Sequence, residues 1–258
     1  MSEPDVDRCK GAILGLALGD AFGAPYEGGM LERALWRLIG RTGGRMRWTD
    51  DTQMSIDLAE SLIANGGVNQ DDLARRFAAS YRWSRGYGPG TTKVLRTISR
   101  GRDWVSASMR VYPGGSYGNG GAMRAPVAGL YFRNEDLPQI AGAAHRQSEV
   151  THAHPLALDG AALISMATAM FCNGTEPLPL MERLVDYSSC SEMREKLVKA
   201  RRWLESGNTM PVAEVAAELG NGTAAAESVV TAVYIALAHH QSKFEALLAY
   251  AIKLGGDV

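Results

Sequence analysis

Apolar positions recur at helical spacing along most of the chain. Residues 70–83 (QDDLARRFAASYRW) open with acids and turn apolar at i, i+3 and i+4. The stretch that opens at Thr49 runs on through Ile56, Leu58, Ala59, Leu62 and Ile63. Residues 135–147, 155–172, 192–205, 211–219, 223–239 and 242–254 repeat the spacing. They are rich in Ala, Leu, Met, Glu and Lys, which favour the helix. Alternation with period two and β-branched runs are scarce. The pattern predicts an all-α fold of ten or more helices. No repeat period stands out and no Ser/Pro/Gly linker divides the chain, so one domain covering 1–258 is expected.

Composition changes this picture little. Of 258 residues, 46% are apolar and 21% charged, as in ordinary globular proteins. A chain of this length buries a core without disulfide or metal staples. Lys plus Arg number 27 against 28 Asp plus Glu. That balance argues against binding nucleic acid through a strongly basic surface, while local patches stay open. The first ten residues, MSEPDVDRCK, lack the basic start of a signal peptide. The longest apolar run, Ala161 to Cys172, is shorter than the roughly 20 residues that span a bilayer. Cys9, Cys172 and Cys190 are odd in number, widely spaced and form no C-x-x-C, so they read as reduced thiols filling a core. A soluble, cytoplasmic chain without membrane contact is expected.

Glycine clusters alter the picture more. Gly11, Gly15, Gly19 and Gly23 recur every four residues in a helical stretch. Each interior glycine costs about 1 kcal/mol relative to alanine, so close packing of something against that face is expected. Asp20 interrupts the run and argues against a membrane role.

Three stretches can carry chemistry. The first is Trp48-Thr49-Asp50-Asp51-Thr52. Thr49 can cap a helix, the two acids can complement its dipole, and Trp48 can act as a hydrophobic staple. The same hydroxyl and carboxylates are hard-cation ligands. Successive helical side chains point about 100° apart, so Asp50 and Asp51 can address two ions. Asp20, Glu27 and Asp257 are the candidates for further negative charge. Glu27 follows a Pro25 that ends the first helix, and Asp257 follows a Gly255-Gly256 turn. The second stretch comprises glycine-rich segments at 85–91 (RGYGPGT) and 114–124 (GGSYGNGGAMR). A glycine-rich turn that feeds a helix offers N–H groups to a phosphate. Neither segment is a P-loop or a dinucleotide fingerprint. Tyr87 and Tyr117 add faces on which a base or sugar can stack. The third is Thr151-His152-Ala153-His154. It lacks the Cys or third His of a zinc site.

Taken in order, these stretches resemble the ADP-ribosylglycohydrolase family. The matching residues are GAILGLALGDAFGAPYE (11–27), WTDDT (48–52), RGYGPG (85–90), GSYGNGGAMR (115–124), THAH (151–154), AESVVTA (226–232) and LGGD (254–257). The resemblance implies a compact, orthogonal multi-helix domain. It implies a centre of two Mg²⁺ ions and a hydrolase that cleaves the C1″ glycosidic bond between ADP-ribose and an acceptor. Thr49, Asp50, Asp51, Glu27 and Asp257 are the implied metal ligands, with Glu27 a mobile carboxylate over the site and Asp257 a base for the water. Gly115, Ser116, Tyr117, Gly118 and Asn119 are implied to hold the diphosphate and distal ribose. Gly86, Tyr87, Gly88 and Gly90 are implied to border the pocket. His152 is implied on the adenosine side, and Thr223 near the adenine.

The loop at 115–124 and the Tyr26-Glu27 pair resemble the branch acting on serine-linked and polymeric ADP-ribose. The stretch GDAFGAP resembles the arginine-directed bacterial branch. The family motif continues past Gly-Gly-Asp with x-Asp-Thr, whereas the sequence stops at Val258. Two functions therefore stay open: a Mg²⁺-dependent hydrolase acting on ADP-ribosylated proteins or conjugates, and an ADP-ribose-binding module with little or no turnover. A monomer is expected.

Overall fold

Helix α8 (Pro155–Cys172) is the centre of the molecule. It is apolar on every face, the mark of a helix enclosed by others. His154 caps it, its Nδ1 accepting from the N–H of Leu156 at 3.2 Å, and Pro155 begins it. Around it pack α6 (Ala125–Tyr131), α7 (Leu137–Glu149), α9 (Pro177–Tyr187) and α12 (Ala225–Ala238). Their contact encloses Leu163, Met166, Leu180, Leu184, Val230 and Tyr234, all fully buried. Each such side chain contributes about 1.5–3 kcal/mol.

A second core joins α2 (Asp50–Asn65), α3 (Gln70–Ser80) and α4 (Pro89–Ile98) through Met54, Leu58, Leu62, Leu73, Phe77 and Leu95. Phe132 packs against both cores. The remaining helices are α1 (Glu3–Gly23), α5 (Trp104–Val111), α10 (Ser191–Glu205), α11 (Val212–Glu218) and α13 (Phe244–Leu254). These observations come from a computed structural model, which describes residues 3–28, 33–34, 36, 41–42 and 45–257.

The fold is all-α. Among the described residues the one ladder is β1 (Arg41–Thr42) against β2 (Arg45–Met46), two residues each and antiparallel. The helical periodicity locates α3, α7, α8, α10, α11, α12 and α13 within a few residues. It does not foresee α4, α5 and α9. Proline at their starts (Pro89, Pro177) or a short length hides the period.

Among the described residues nothing packs closely on the face expected at Gly11, Gly15 and Gly19, whereas Gly23 is buried. No described atom lies within 4 Å of a Cβ built at Gly11, Gly15 or Gly19. Helix α1 packs on α2, α6, α8 and α13. Helix α8, with 18 residues, is longer than its apolar run suggested and is long and apolar enough to cross a membrane. Here it is 61% buried inside the protein. Distance in sequence also misled for two cysteines: Sγ of Cys9 on α1 lies 3.6 Å from Sγ of Cys172 at the end of α8, both as free thiols.

Candidate active site

The site is assembled at the start of α2. Thr49 caps that helix, its hydroxyl accepting from the N–H of Asp51 at 3.2 Å. Asp20, buried on α1, caps it a second time. Its carboxylate accepts from the N–H of Thr49 at 2.9 Å, from the N–H of Thr52 at 3.1 Å and from the Thr52 hydroxyl. Helix dipole and capping both favour an anion there. Asp20 is thus committed to fixing the helix start from which Asp50 and Asp51 project. Trp48 is no staple: it is 38% exposed, and the Arg85 guanidinium stacks 4.3 Å from its ring centroid while donating to its carbonyl.

Two further carboxyls arrive from opposite ends of the chain. After α1 a 3-10 turn, Ala24–Tyr26, leads to Glu27 in extended conformation. After α13, Gly255 and Gly256 turn with φ of +64° and +78°. The two segments meet where the N–H of Gly28 donates to the carbonyl of Gly256 at 3.2 Å. Asp257 is then held by two bonds. Its N–H donates to the carbonyl of Asn221 at 2.9 Å, and its Oδ2 accepts from Asn119 Nδ2 at 2.5 Å.

Glu27, Asp50, Asp51 and Asp257 all line one cavity of about 620 Å³. Burial raises each carboxyl, and repulsion from neighbouring carboxyls adds to it at Glu27, Asp50 and Asp51. Glu27 is pushed up to about 8 by burial, then by Asp257, Asp20 and Asp50. Asp50 is pushed up to about 7 by burial, then by Asp20 and Asp257, against its own backbone hydrogen bond and the Arg124 charge. Asp51 is raised by burial, Asp50, Asp20, Glu27 and Asp257. Asp257 is raised by burial, with the Asn119 bond opposing. Like charges confined this way call for a cation. The donors are all oxygen, the chemistry of a hard divalent ion. As placed, no three His, Cys, Asp or Glu side chains among the described residues stand close enough to hold one.

The rest of the wall is glycine-rich on one part and apolar on another. Ser116, Gly118, Asn119 and Gly120 line it from the loop before α6, with Thr223 beside them. That loop is anchored like a strand: the N–H of Asn119 donates to the Thr223 carbonyl at 2.9 Å, and that of Ala225 to the Tyr117 carbonyl at 3.0 Å. Gly86, Gly88 and Gly90 line the wall before and at the start of α4. A Cβ on Gly90 would meet the Tyr112 hydroxyl at 2.4 Å, so glycine there lets Tyr112 cross the helix start. His152 reaches the cavity between Gly118 and Gly120; a Cβ on Gly120 would fall 2.3 Å from its Cε1.

Besides Asp20, four of the sequence candidates lie outside this wall. Thr49 is buried beneath it as the cap. Gly115, at φ of +79°, presses against the backbone of Ala153 and His154. Tyr87 is in the second core beside Tyr81, with ring centroids 4.9 Å apart, so it offers no free face. Tyr117 is 58% exposed and meets His154 edge-on.

The sequence reading missed the apolar part, formed by Ile164, Val229, Ile235, Leu247 and Leu254. It also gave Arg124 no role. This fully buried guanidinium donates to the carbonyls of Gly120 and Gln147, the side chain of Gln147 and the hydroxyl of Thr151. It holds the glycine loop to the end of α7. A buried arginine is visible in sequence only as a charge inside a glycine-rich apolar stretch.

The chain matches the ADP-ribosylglycohydrolase family over residues 1–258. It is 33% identical to the human ADP-ribosylhydrolase ARH3, with 98% of this chain and 81% of that protein covered. It is 30% identical to the ARH3 of Gallus gallus, with 99% and 82% covered. To the ADP-ribosyl-[dinitrogen reductase] glycohydrolase of Rhodospirillum rubrum it is 34% identical over 60% of this chain and 55% of that one. A solved structure described as an ADP-ribosylglycohydrolase-related protein complex superposes with a TM-score of 0.69 at 26% identity, covering 99% of this chain and 83% of that one.

Proposed function

The chain belongs to the ADP-ribosylglycohydrolase family, and from that premise we propose that it hydrolyses the C1″ glycosidic bond between ADP-ribose and an acceptor, with Mg²⁺ as cofactor. One observation carries the reading. Carboxyls from the loop after α1, the start of α2 and the turn after α13 face the same cavity as the Ser116–Gly120 loop. A glycosidic bond that breaks builds positive charge on the ribose. An acidic wall stabilises that charge, and the N–H groups of a glycine loop suit a diphosphate.

Asp50, Asp51, Glu27 and Asp257 would hold the ions, above the cap formed by Thr49. A divalent ion held there would supply Lewis acidity to the reaction. Asp257, oriented by Asn119, is the base that takes a proton from the attacking water at its carboxylate. Glu27, on a loop between Pro25 and Gly28, closes over the ribose and excludes bulk water. Ser116, Gly118, Asn119 and Gly120 bind the diphosphate, and that remote binding orients the reacting carbon. The acceptor we favour is serine-linked or polymeric ADP-ribose, the branch that the 115–124 loop and the Tyr26-Glu27 pair resemble.

The test is release of free ADP-ribose from serine-linked, arginine-linked and polymeric substrates, with Mg²⁺ and with EDTA. Mg²⁺-dependent release from any of the three supports the reading; none from all three overturns it. A binding module without turnover is the second reading, favoured because the carboxyls are not gathered as an ion cage. It predicts ADP-ribose binding in calorimetry that EDTA leaves unchanged.

A further inference from the structure

A second concavity, of about 530 Å³, lies on the hairpin of α4 and α5. Lys93 and Thr97 of α4, Arg100 and Arg102 of the connecting turn, and Arg110 and Val111 of α5 line it. All four cations are exposed. None makes an ion pair or side-chain hydrogen bond with a described residue. The neighbouring acid, Asp103, is occupied as the cap of α5, its Oδ1 accepting from the N–H of Ser106 at 2.9 Å. On a chain of net charge −1, four positive groups share one groove with no carboxylate in its wall. Such a field attracts anions.

We propose that this groove is a second anion subsite, outside the cavity, that takes a diphosphate group. Guanidinium forks match phosphate oxygens in pairs, and three of them line the groove with an ammonium, while the Thr97 hydroxyl is occupied by the Lys93 carbonyl at 2.8 Å. The groove and the cavity share a wall. Pro89, Gly90 and Thr91 of α4 line the cavity, and Lys93 and Thr97 of the same helix line the groove. At about 1.5 Å rise per residue, roughly 5–10 Å of helix separates Gly90 from these two. Tyr112, next after Val111, returns to the cavity against Gly90. Two sources share this ligand chemistry: a neighbouring unit of an extended substrate whose ADP-ribose fills the cavity, and a separate nucleoside diphosphate. The first source rests on the function proposed above; the groove itself does not.

The experiment is calorimetric titration of the full chain with inorganic pyrophosphate in the presence of saturating ADP-ribose. The comparison is the exposed triple variant R100Q/R102Q/R110Q. We expect one pyrophosphate per chain, bound at least tenfold more weakly by the variant, with ADP-ribose affinity the same in both within twofold. No pyrophosphate binding beside ADP-ribose, or equal binding by the variant, overturns the subsite. A two-unit ADP-ribose oligomer that binds tenfold tighter than the monomer and displaces pyrophosphate assigns the subsite to extended substrate. An oligomer that binds no tighter, with ADP competing for pyrophosphate, assigns it to a separate nucleotide. Single-stranded DNA of equal charge bound as tightly as pyrophosphate overturns the diphosphate assignment. A chain that fails to bind ADP-ribose refutes the proposed function, while pyrophosphate binding lost in the variant still reads the groove.

Discussion

The Thr151 hydroxyl oxygen lies 2.8 Å from Nδ1 of His152, and it accepts a hydrogen bond from Nη2 of Arg124 at 3.1 Å. Arginine only donates, and a hydroxyl has one proton. The arrangement satisfies all three groups when Thr151 donates to Nδ1. His152 is then neutral, with its proton on Nε2. Burial, helped by the Arg124 charge, pushes its pKa down to about 3, so it stays neutral across working pH. The Nε2–H makes no bond to a described residue and stands beside the glycine loop that lines the cavity. The cavity is therefore offered a donor, suited to a phosphate or ribose oxygen.

Thr151→Val should remove that control. The ring loses its partner on Nδ1 and Arg124 loses one of its acceptors, at a cost of about 1–3 kcal/mol in stability. ADP-ribose binding should weaken by about 3–10-fold, the worth of about one hydrogen bond, while Thr151→Ser keeps affinity within twofold. Nitrogen NMR of His152 reads the tautomer directly in the unsubstituted protein. A proton found on Nδ1 refutes the relay.

Neutralising one acid of the cavity should raise stability and abolish activity together. Asp51 is repelled by Asp50, Asp20, Glu27 and Asp257, so Asp51→Asn relieves like-charge strain in the metal-free protein. Its melting temperature in EDTA should rise by a few degrees, at about 2–4 °C per kcal/mol. Mg²⁺ should stabilise the unsubstituted protein, by about 2.7 kcal/mol at a hundredfold excess over Kd, and the variant far less. ADP-ribose release should fall more than 100-fold, beyond the roughly 10–100-fold typical of a lost supporting group. A variant that melts lower in EDTA would contradict the account of the acidic wall.

How much of this was legible in the sequence follows from what each residue type can say alone. The WTDDT stretch announced a helix start with two acids, and the cavity contains both. The Gly-Gly-Asp turn announced a change of direction, but not that Gly256 lies against Gly28 and brings Asp257 toward Glu27. Such meetings depend on how helices cross, which periodicity does not encode. Tyr87 illustrates the opposite failure. Set in glycines it suggested a face for stacking, yet its ring belongs to the second core. The apolar part of the cavity was hidden because a core-facing and a ligand-facing isoleucine look alike.

Asp57 provides a pH test remote from the acidic wall. It is 4% exposed on α2, accepting from the Ser80 hydroxyl and from Gln53 Nε2 at 3.3 Å. Burial pushes it up to about 6. The folded state thus binds its proton more tightly than the unfolded chain, whose value is about 3.9. That contribution is full below about pH 4 and is lost as pH rises through about 6. Asp57→Asn should be more stable than the unsubstituted protein at pH 8, by up to about 2–3 kcal/mol at 1.36 kcal/mol per pKa unit. At pH 4 the gain should vanish. The Ser80 hydroxyl has the Phe77 carbonyl at 3.4 Å as an alternative acceptor, which limits the cost of the amide. Urea unfolding at both pH values decides, and a variant less stable at pH 8 refutes the sign.

Gly256 tests whether the turn after α13 positions the chemistry or merely closes the helix. Its φ of +78° disfavours any side chain, and a Cβ there would fall 2.0 Å from the backbone oxygen of Asn221. Backbone cannot rotate aside as a flexible side chain can, so Gly256→Ala must displace the turn. Two bonds depend on it: the one from Gly28 to the Gly256 carbonyl and the one from Asp257 to the Asn221 carbonyl. The first ties in the Glu27 loop, and the second seats Asp257 beside Asn119. Of the first core, Leu254 adjoins this turn, and the second core lies on other helices, so the loss of stability should stay near 1–3 kcal/mol, typical of a strained backbone position. Release of ADP-ribose should fall by more than about 100-fold, because a shift near 1 Å at a reacting group costs about that much. Circular dichroism and the melting temperature check that the fold persists, and ADP-ribose calorimetry separates binding from turnover. The expected pattern is retained helix content, ADP-ribose affinity within about fivefold, and lost release. Full activity in Gly256→Ala would mean that Asp257 does not serve the reaction.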